Sequence, residues 1–318
     1  MIGSFLLRCE YGIMNDPVRE SVKQVDEDHW LIGPLQLCRS KGYSDTSTWY
    51  DQDDDFSYTL NNASDPPPPT VPLSENIPLR LVHDVGSAVW SIGNSAFCKV
   101  KIPVFGTTPE AATLAFIHEQ QPDFEIPKVL HQAEQNGRSY LFLSRVRGQT
   151  LENAWSTLDE KWRQHYMNAV VNICKFLQSR ESDILCGTDG KNAFEPFLVK
   201  YGEKEDFSPQ NLQQGCEIMG MDCSKLVFGH ADLAPGNIMV EDIPETGSIG
   251  IIDWEVAGFF PRGWIRTKFR VNGGLDLPDS VTDTPTEWRS GVQKSLEAHG
   301  FEDYSSQWAS WWFPRPDS

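Results

Sequence analysis

The segment 229–255 sets tighter limits on the structure of this chain than any other stretch of its sequence. It contains His230, Asp232 and Asn237 in the pattern H-x-D-x-x-x-x-N, and it closes with I-I-D-W-E, which places Asp253 directly after two isoleucines. Polar side chains at a fixed spacing beside apolar runs indicate a loop held between short buried strands. We therefore expect a rigid unit in which these four side chains lie near one another.

The apolar runs around this motif give the unit its expected strands. Residues 226–228 predict a short strand that leads into the loop, and residues 237–240 predict a strand that leaves it. Residues 248–252 predict a third strand, and the Pro-Glu-Thr-Gly sequence at 244–247 predicts the turn before it. A strand–loop–strand–turn–strand unit of this kind would bring Asn237 and Asp253 together.

These residue types suit phosphoryl transfer from a nucleotide. That reaction needs a carboxylate to receive the acceptor's proton and oxygen ligands to hold Mg²⁺ against the phosphates. Asp232 is the candidate catalytic carboxylate, Asn237 and Asp253 are the candidate metal ligands, and His230 is expected to brace the loop. The alternative is a chance match with a structural role, since an isolated H-x-D-x-x-x-x-N pattern is common. The additional I-I-D-W-E at the right separation is much rarer and favours kinase-type chemistry.

The whole pattern resembles the aminoglycoside phosphotransferase and choline kinase-like family, in which H-G-D-x-x-x-x-N is followed by I-D-W-E. The sequence departs from that family at Ala231, where Gly is usual, and from Ser/Thr protein kinases at Ala234, where they carry Lys. The G-F-x-P-x-x-W run at 258–264 is similar to a set of fungal phosphotransferase-like proteins over about residues 79–314. The resemblance implies an α+β, two-lobed protein-kinase-like fold, with a small antiparallel-sheet lobe and a larger, mainly helical lobe. It also implies ATP and Mg²⁺ as cofactors.

The nucleotide-binding residues are expected upstream of the motif. Residues 96–102 predict a strand that carries Lys99 and Lys101 on one face, and residues 107–118 predict a helix with Glu110 in its first turn. By resemblance to the family, Lys99 would contact the phosphates and Glu110 would brace it. Lys101 is the second candidate for that lysine, and Glu110 taken alone also fits an ordinary helix start.

Two further segments complete the predicted nucleotide site. The stretch 84–93 resembles the hairpin that covers the phosphates, although Gly86 and Gly93 fit ordinary turns equally well. The segment from Ser144 to Val146 resembles the hinge between lobes, and its backbone would hydrogen-bond the adenine. Residues 126–133 and 138–143 before it predict two strands joined by the hairpin turn at 135–137.

The expected organisation has three parts. We expect residues 1–77 to form an N-terminal extension that is partly disordered or lies against the main domain, because 44–64 is polar and acidic and 66–69 is a run of prolines. Within it, residues 25–38 predict one or two short strands. Residues 78–143 form the small nucleotide-binding lobe, and 144–318 form the large catalytic and acceptor-binding lobe. Helical periodicity predicts helices at 158–179, 209–219, 261–269, 286–299 and 304–312.

Composition narrows the classes of partner. The net charge of −18 argues against nucleic acid and is compatible with a cationic acceptor. The chain has no apolar run of the ~18 residues that a membrane span needs, and Met1–Leu7 is too short for a secretory signal. The seven cysteines lack C-x-x-C spacing, which favours reduced thiols in the cytoplasm. Oligomeric state is left open.

The leading hypothesis is an ATP- and Mg²⁺-dependent phosphotransferase that phosphorylates a hydroxyl, or less readily an amine, of a small molecule. The alternative is a nucleotide-binding pseudokinase with a regulatory role, supported by Ala231 and the long N-terminal extension.

Aromatic faces can bind a cationic acceptor, although most such side chains are simply core. The candidates are Trp264, Trp288, Trp308, Trp311 and Trp312.

Overall fold

The computed structural model describes residues 17–75 and 77–313, which divide into two compact units. Unit 1 contains the described residues up to Pro103 together with Pro127–Arg145, and unit 2 contains Val104–Ile126 together with the described residues from Val146 onward. Cys9 and the N-terminal residues that we judged too short for a signal lie outside the described part. The other six cysteines are free thiols. None of the described helices is long and apolar enough to cross a membrane.

Unit 1 is built from two five-stranded antiparallel sheets. The first, which we call the N-terminal sheet, has the order β1-β2-β3-β5-β4, and the second, the lysine sheet, has the order β6-β7-β8-β10-β9. The strands of the N-terminal sheet are β1 (Val22–Gln24), β2 (His29–Ile32), β3 (Leu35–Lys41), β4 (Trp49–Asp51) and β5 (Phe56–Asn62). Those of the lysine sheet are β6 (Leu79–Val85), β7 (Ser87–Ile92), β8 (Ala96–Lys101), β9 (Val129–Gln135) and β10 (Arg138–Ser144).

The two sheets of unit 1 share one hydrophobic core, and residues 22–62 form more strands than the one or two short ones expected between 25 and 38. Trp30 and Tyr58 from the N-terminal sheet join Trp90 and Phe142 from the lysine sheet in a single buried cluster. The acidic residues that suggested disorder lie largely in the exposed turn after β4, while alternate residues of the strands are buried. Burial against a second sheet therefore outweighed a polar local composition. The proline run at 66–69 is exposed and lies outside the strands.

Unit 2 contains seven helices and two small antiparallel sheets among its described residues. The sheets have the orders β11-β14-β15 and β12-β13-β16. Its helices are α1 (Glu110–Glu119), α2 (Leu151–Ala154), α3 (Glu160–Leu177), α4 (Pro209–Ile218), α5 (Arg262–Val271), α6 (Glu287–Ala298) and α7 (Ser305–Trp312). Its strands are β11 (Gln149–Thr150), β12 (Glu181–Ser182), β13 (Leu226–Gly229), β14 (Ile238–Val240), β15 (Ile249–Ile251) and β16 (Gly258–Pro261).

Helix α1 marks a second difference from the expected organisation. We placed residues 78–143 in one small lobe, whereas α1 groups with unit 2. The segment before it shows why, because Thr108 does not cap the helix and its hydroxyl instead donates to Oδ1 of Asp189 at 2.5 Å. Glu125, which follows the helix, donates its N–H group to the carbonyl of Ile249 in β15. Long-range hydrogen bonds at both ends thus hold α1 to the helical unit.

Most of the tryptophans proposed to contact the acceptor molecule belong to the core of unit 2. Trp264 and Trp288 are almost wholly buried, and their indole N–H groups donate to Glu195 and to the carbonyl of Leu233. Trp308 and Trp312 are also buried and stack on each other, whereas Trp311 is half-buried. Among the five, Trp311 is the most exposed.

Candidate active site

The loop 230–237 connects β13 to β14 in unit 2, as the apolar pattern predicted. β13 lies between β12 and β16, with Gly229 opposite Gly258, so the loop leaves a strand that is paired on both sides. A short 3₁₀ turn, Pro235–Asn237, ends the loop and leads into β14. Both ends of the loop are therefore anchored in sheets, which limits how far its side chains can move.

His230 joins the start of this loop to the strand that carries Asp253. The N–H group of Asp232 donates to Nδ1 of His230 at 3.2 Å, so that nitrogen carries no proton. Nε2 then donates to the carbonyl of Ile252 at 3.1 Å. The ring is almost wholly buried and packs edge-on against Trp254. A neutral imidazole thus fixes the backbone of Asp232 relative to that of Ile252.

Asp232 and Asn237 are hydrogen-bonded across the loop. Nδ2 of Asn237 donates to Oδ2 of Asp232 at 2.9 Å and to the Asp232 carbonyl at 3.0 Å. Because Nδ2 is used in this way, the oxygen Oδ1 is the atom of Asn237 suited to bind a cation. The carbonyl of Asn237 also accepts the N–H group of Ile252 at 3.0 Å, which brings the residue before Asp253 against the loop.

The backbone is left-handed at two positions of the site. Asp253, two residues after the end of β15, has φ 64° and ψ 64°. Ala231 has φ 62°, and it stands where the family usually has Gly. Such backbone angles are uncommon outside Gly, and for Ala they carry a cost of about 1–2 kcal/mol. Strain of this kind is found where surrounding contacts fix a functional conformation.

Three carboxylates cluster beside the Asp253 turn. One oxygen from each of Glu110, Asp253 and Glu255 lies within 4.8 Å of the other two. Glu110 is only 2% exposed, and its Oε1 accepts the N–H group of Trp254 at 3.1 Å. Glu110 is thus held by the backbone that follows Asp253, and the sequence did not single out Glu255 for this cluster.

A buried ion pair lies near Asp232, and the sequence analysis missed it. Nζ of Lys268 in α5 is 2.5 Å from Oε1 of Glu195, and the two side chains are 6% and 0% exposed. Lys268, His230 and Ala231 line the same small cavity. The available signal was a charged residue among aromatics, since Glu195 lies in the sequence F-E-P-F and Lys268 lies one helical turn after Trp264.

These charges act on the catalytic candidate. Burial raises the pKa of Asp232 to about 6, and the negative charges of Asp253 and Glu195 add to that rise. The Lys268 ammonium and the hydrogen bond from Asn237 oppose it. Asp232 is thus a carboxylate of unusually high basicity that is still mostly ionised at neutral pH.

The remaining candidate residues lie in both units. Lys99 in β8 of unit 1 is 8% exposed, while Lys101 is half-buried. Ser144 ends β10, where its N–H group donates to the Lys128 carbonyl at 2.9 Å and its hydroxyl accepts the Lys128 N–H group at 2.8 Å. Val146, with a buried side chain, begins the second segment of unit 2.

Residues 104–264, about half of the chain, match the model of the phosphotransferase enzyme family. The chain belongs to this family. The matched region contains Glu110, Asp232, Asn237 and Asp253 as well as the G-F-x-P-x-x-W run, so it covers the whole motif from which the resemblance was inferred. The fold is α+β and protein-kinase-like, as predicted.

Solved structures of similar fold include aminoglycoside phosphotransferases. One is APH(3'')-Id from Streptomyces rimosus, at 16% identity and a TM-score of 0.46, covering 72% of this chain and 90% of that one. Another is APH(2")-IIa in a ternary complex with streptomycin and ATP, at 16% identity and a TM-score of 0.43, covering 69% of this chain and 76% of that one. No curated protein matches the sequence.

Proposed function

We propose that this protein transfers the γ-phosphate of ATP to a hydroxyl group, or less readily an amine, of a small molecule. The observation that carries the proposal is the hydrogen bond between Asp232 and Asn237 inside one anchored loop. Family membership supports phosphotransfer as the type of reaction. The residues present add a base and a set of oxygen ligands that suit it.

Asp232 would orient the acceptor hydroxyl and receive its proton as the new O–P bond forms. A general base works best when its pKa lies near the working pH, and a pKa of about 6 meets this condition. His230 would keep the carboxylate in place through the backbone N–H group of Asp232. Asn237 would restrict its rotation through the bond to Oδ2.

The oxygen donors near Asp253 fit a magnesium ion. Asp253 and Oδ1 of Asn237 would bind it, and the neighbouring carboxylates of Glu110 and Glu255 add negative charge at the same place. Hard oxygen ligands of this kind are what Mg²⁺ prefers. When bound, the ion would neutralise charge on the β- and γ-phosphates.

The nucleotide would be held by residues assigned through resemblance to the family. Lys99 would contact the phosphates, with Glu110 as its partner residue, and the backbone from Ser144 to Val146 would meet the nucleobase. The N–H groups of Ser144 and Arg145 already donate to the carbonyls of Lys128 and Ser95. The N–H group of Val146 is therefore the hinge donor that we expect to meet the base.

The acceptor is assigned only by class. The net charge of −18 suits a cationic small molecule, because an acidic surface raises the local concentration of cations. The same charge disfavours nucleic acid. We place the reaction in the cytoplasm, on the ground that the cysteines show no pattern of disulfide pairing.

The alternative is a pseudokinase that binds a nucleotide without transferring its phosphate. The observation that favours it is Ala231, whose left-handed backbone carries a methyl group where the family usually has Gly. The presence of Asp232, Asn237 and Asp253 at the family's spacing favours the enzyme.

Thermal unfolding with ATP, in the presence and absence of Mg²⁺, tests the proposal. A ligand that binds the folded state raises the melting temperature. We expect a Mg²⁺-dependent rise in the wild type that is lost in Asp253→Ala and retained in Asp242→Ala, which removes an exposed carboxylate from the connection before β15. A rise in the wild type justifies screening alcohols and amines as acceptors. No rise at millimolar ATP would contradict the proposal.

A further inference from the structure

The N-terminal sheet buries a carboxylate that the proposed chemistry does not use. Asp51, the last residue of β4, is fully buried, although the aspartates that follow it at 53–55 are exposed. Burying a carboxylate costs several kcal/mol unless its charge is compensated by hydrogen bonds or a counter-charge. Its partners therefore indicate what the residue does.

Asp51 binds the turn that joins β7 to β8. Its Oδ2 accepts the backbone N–H group of Asn94 at 2.7 Å, and its Oδ1 accepts that of Asp53 at 3.2 Å. Gly93, next to Asn94, has φ 55°, and a Cβ atom there would lie 2.5 Å from Oδ2 of Asp51 and 3.0 Å from the Tyr58 hydroxyl. The turn thus approaches the N-terminal sheet so closely that only Gly fits at this position.

The same turn holds the predicted hinge. The carbonyl of Ser95 accepts the backbone N–H group of Arg145 at 2.8 Å, and the hydroxyl of Ser91 accepts a hydrogen bond from its guanidinium at 2.6 Å. The guanidinium also lies over the ring of Phe97, with 4.2 Å between Cζ of Arg145 and the ring centroid. Arg145 is therefore fixed through both its backbone and its side chain by residues 91–97.

The charges of Asp51 and Arg145 also interact. Burial lowers the pKa of Arg145, and the negative charge of Asp51 opposes that change. Asp51 thus contributes twice, as an acceptor for the turn and as a counter-charge for the half-buried guanidinium. Removing the charge alone would leave Arg145 poorly compensated, because the buried cluster between the two sheets is built mainly from apolar side chains.

We propose that Asp51 is a positioning residue for the nucleobase, acting through the turn 93–95 and Arg145 on the hinge that ends at Val146. The N-terminal sheet then belongs to the nucleotide-binding apparatus of this protein. This inference rests on the proposed function, since it requires that a nucleotide binds and that the hinge meets its base.

Nucleotide selectivity tests the proposal separately from stability. ATP and CTP carry the same triphosphate, so a change in affinity for ATP alone reports on contacts with the base. We expect wild type to bind Mg²⁺·ATP more tightly than Mg²⁺·CTP in calorimetric titrations. Asp51→Asn should weaken ATP binding by about tenfold, equivalent to ~1.4 kcal/mol, and change CTP binding by less than about twofold. Asp54→Asn changes an exposed aspartate in the turn that follows β4, and it should alter neither the ATP affinity nor the CTP affinity.

Three other results of these titrations would contradict the role proposed for Asp51. Equal affinities for ATP and CTP in the wild type, unchanged ATP affinity in Asp51→Asn, or equal losses for both nucleotides would each overturn the inference. If Asp51→Asn does not fold, the same titrations on Ser91→Ala decide, because this variant removes only the hydroxyl that holds the Arg145 guanidinium. Ser87→Ala, in the same strand, is its control. Absence of any nucleotide binding in the wild type would instead contradict the proposed function.

Discussion

Nζ of Lys268 lies 2.5 Å from Oε1 of Glu195, and both side chains are shielded from solvent. Oε2 of Glu195 accepts the indole N–H group of Trp264 at 3.1 Å, and Oε1 also accepts the backbone N–H group of Phe197 at 3.1 Å. The ammonium lies 4.3 Å from the centroid of the Phe197 ring. The pair therefore ties α5 to the segment before α4, next to the loop 230–237.

Removing one partner of this pair should cost far more than removing both charges. A single Lys268→Met or Glu195→Gln leaves a buried charge uncompensated, which lowers the free energy of unfolding by about 3–5 kcal/mol. The double variant should lose much less than the sum of the two. Urea unfolding of all four proteins measures the coupling. The exposed pair Lys225–Glu181 is the control, in which Lys225→Met should lower the free energy of unfolding by less than about 1 kcal/mol. If the losses from the Lys268 and Glu195 variants add up in the double variant, the interpretation is wrong.

Asp232 should destabilise the folded protein at neutral pH. Its pKa in the folded state is about 6, above the ordinary value of 3.8, so the folded state binds the proton more tightly than the unfolded state. The penalty is absent below about pH 4, grows between pH 4 and 6, and reaches about 3 kcal/mol above pH 6. Asp232→Asn should thus be more stable than wild type at pH 8 and gain little at pH 4, as measured by urea unfolding without nucleotide. A gain independent of pH would argue against the raised pKa.

The same substitution should remove activity without removing the nucleotide. Loss of a general base lowers phosphoryl transfer by about 10²–10⁴-fold, whereas the affinity for Mg²⁺·ATP should stay within about twofold. Transfer of radiolabelled γ-phosphate to a panel of alcohols and amines measures the first, and calorimetry measures the second. Asp242→Asn, an exposed neighbour in unit 2, is the control. Full turnover in Asp232→Asn would exclude this residue as the base.

Ala231 should tolerate Gly and reject a branched side chain. At φ 62°, Gly relieves steric strain but increases the entropy of the unfolded chain, so Ala231→Gly should change stability by less than about 1 kcal/mol. Ala231→Val should lower it by more than about 2 kcal/mol, because a β-branched residue is strongly disfavoured at positive φ. Ala234→Val is the control, since Ala234 has an extended backbone at φ −71°. Equal losses at 231 and 234 would show that crowding, not the backbone, is limiting.

Glu241 should stabilise the turn before β15 at ordinary pH and lose this effect in acid. Bonds from the Thr246 hydroxyl and from the N–H groups of Glu245, Gly247 and Thr246 lower the pKa of Glu241 to about 2. Since this value lies below the ordinary 4.5, the stabilisation is present above about pH 4.5 and disappears as the pH falls to about 2. Glu241→Gln should lower the melting temperature at pH 6, with a difference from wild type that shrinks toward pH 2. Glu245→Gln, an exposed change in the same turn, should show no such trend.

Local sequence patterns were sufficient to predict the elements that surround the loop 230–237. The apolar runs around the H-x-D-x-x-x-x-N motif became β13, β14 and β15, and the amphipathic stretch at 158–179 became α3. The Asn136–Gly137 turn between β9 and β10 has positive φ at both residues, as its sequence indicated. These features depend on spacing over a few residues, which a sequence displays directly.

Local sequence patterns could not predict contacts between residues that are far apart in the chain. Nothing near Asp51 in the sequence shows that it meets Asn94, and nothing near Glu195 shows that it meets Lys268. Both carboxylates are stabilised by partners 43 and 73 residues away. The strand content of residues 22–62 was underestimated for the same reason, because their apolar faces are covered by the lysine sheet.

The sequence by itself indicated the family, the loop 230–237 and the strands that hold it, because these follow from residue types at short, fixed separations. Only the tertiary structure decided that the N-terminal residues form a sheet, that α1 belongs with the helical unit, and that Lys268 lies near Asp232. Those outcomes depend on which buried surfaces meet, and burial is a property of the whole chain.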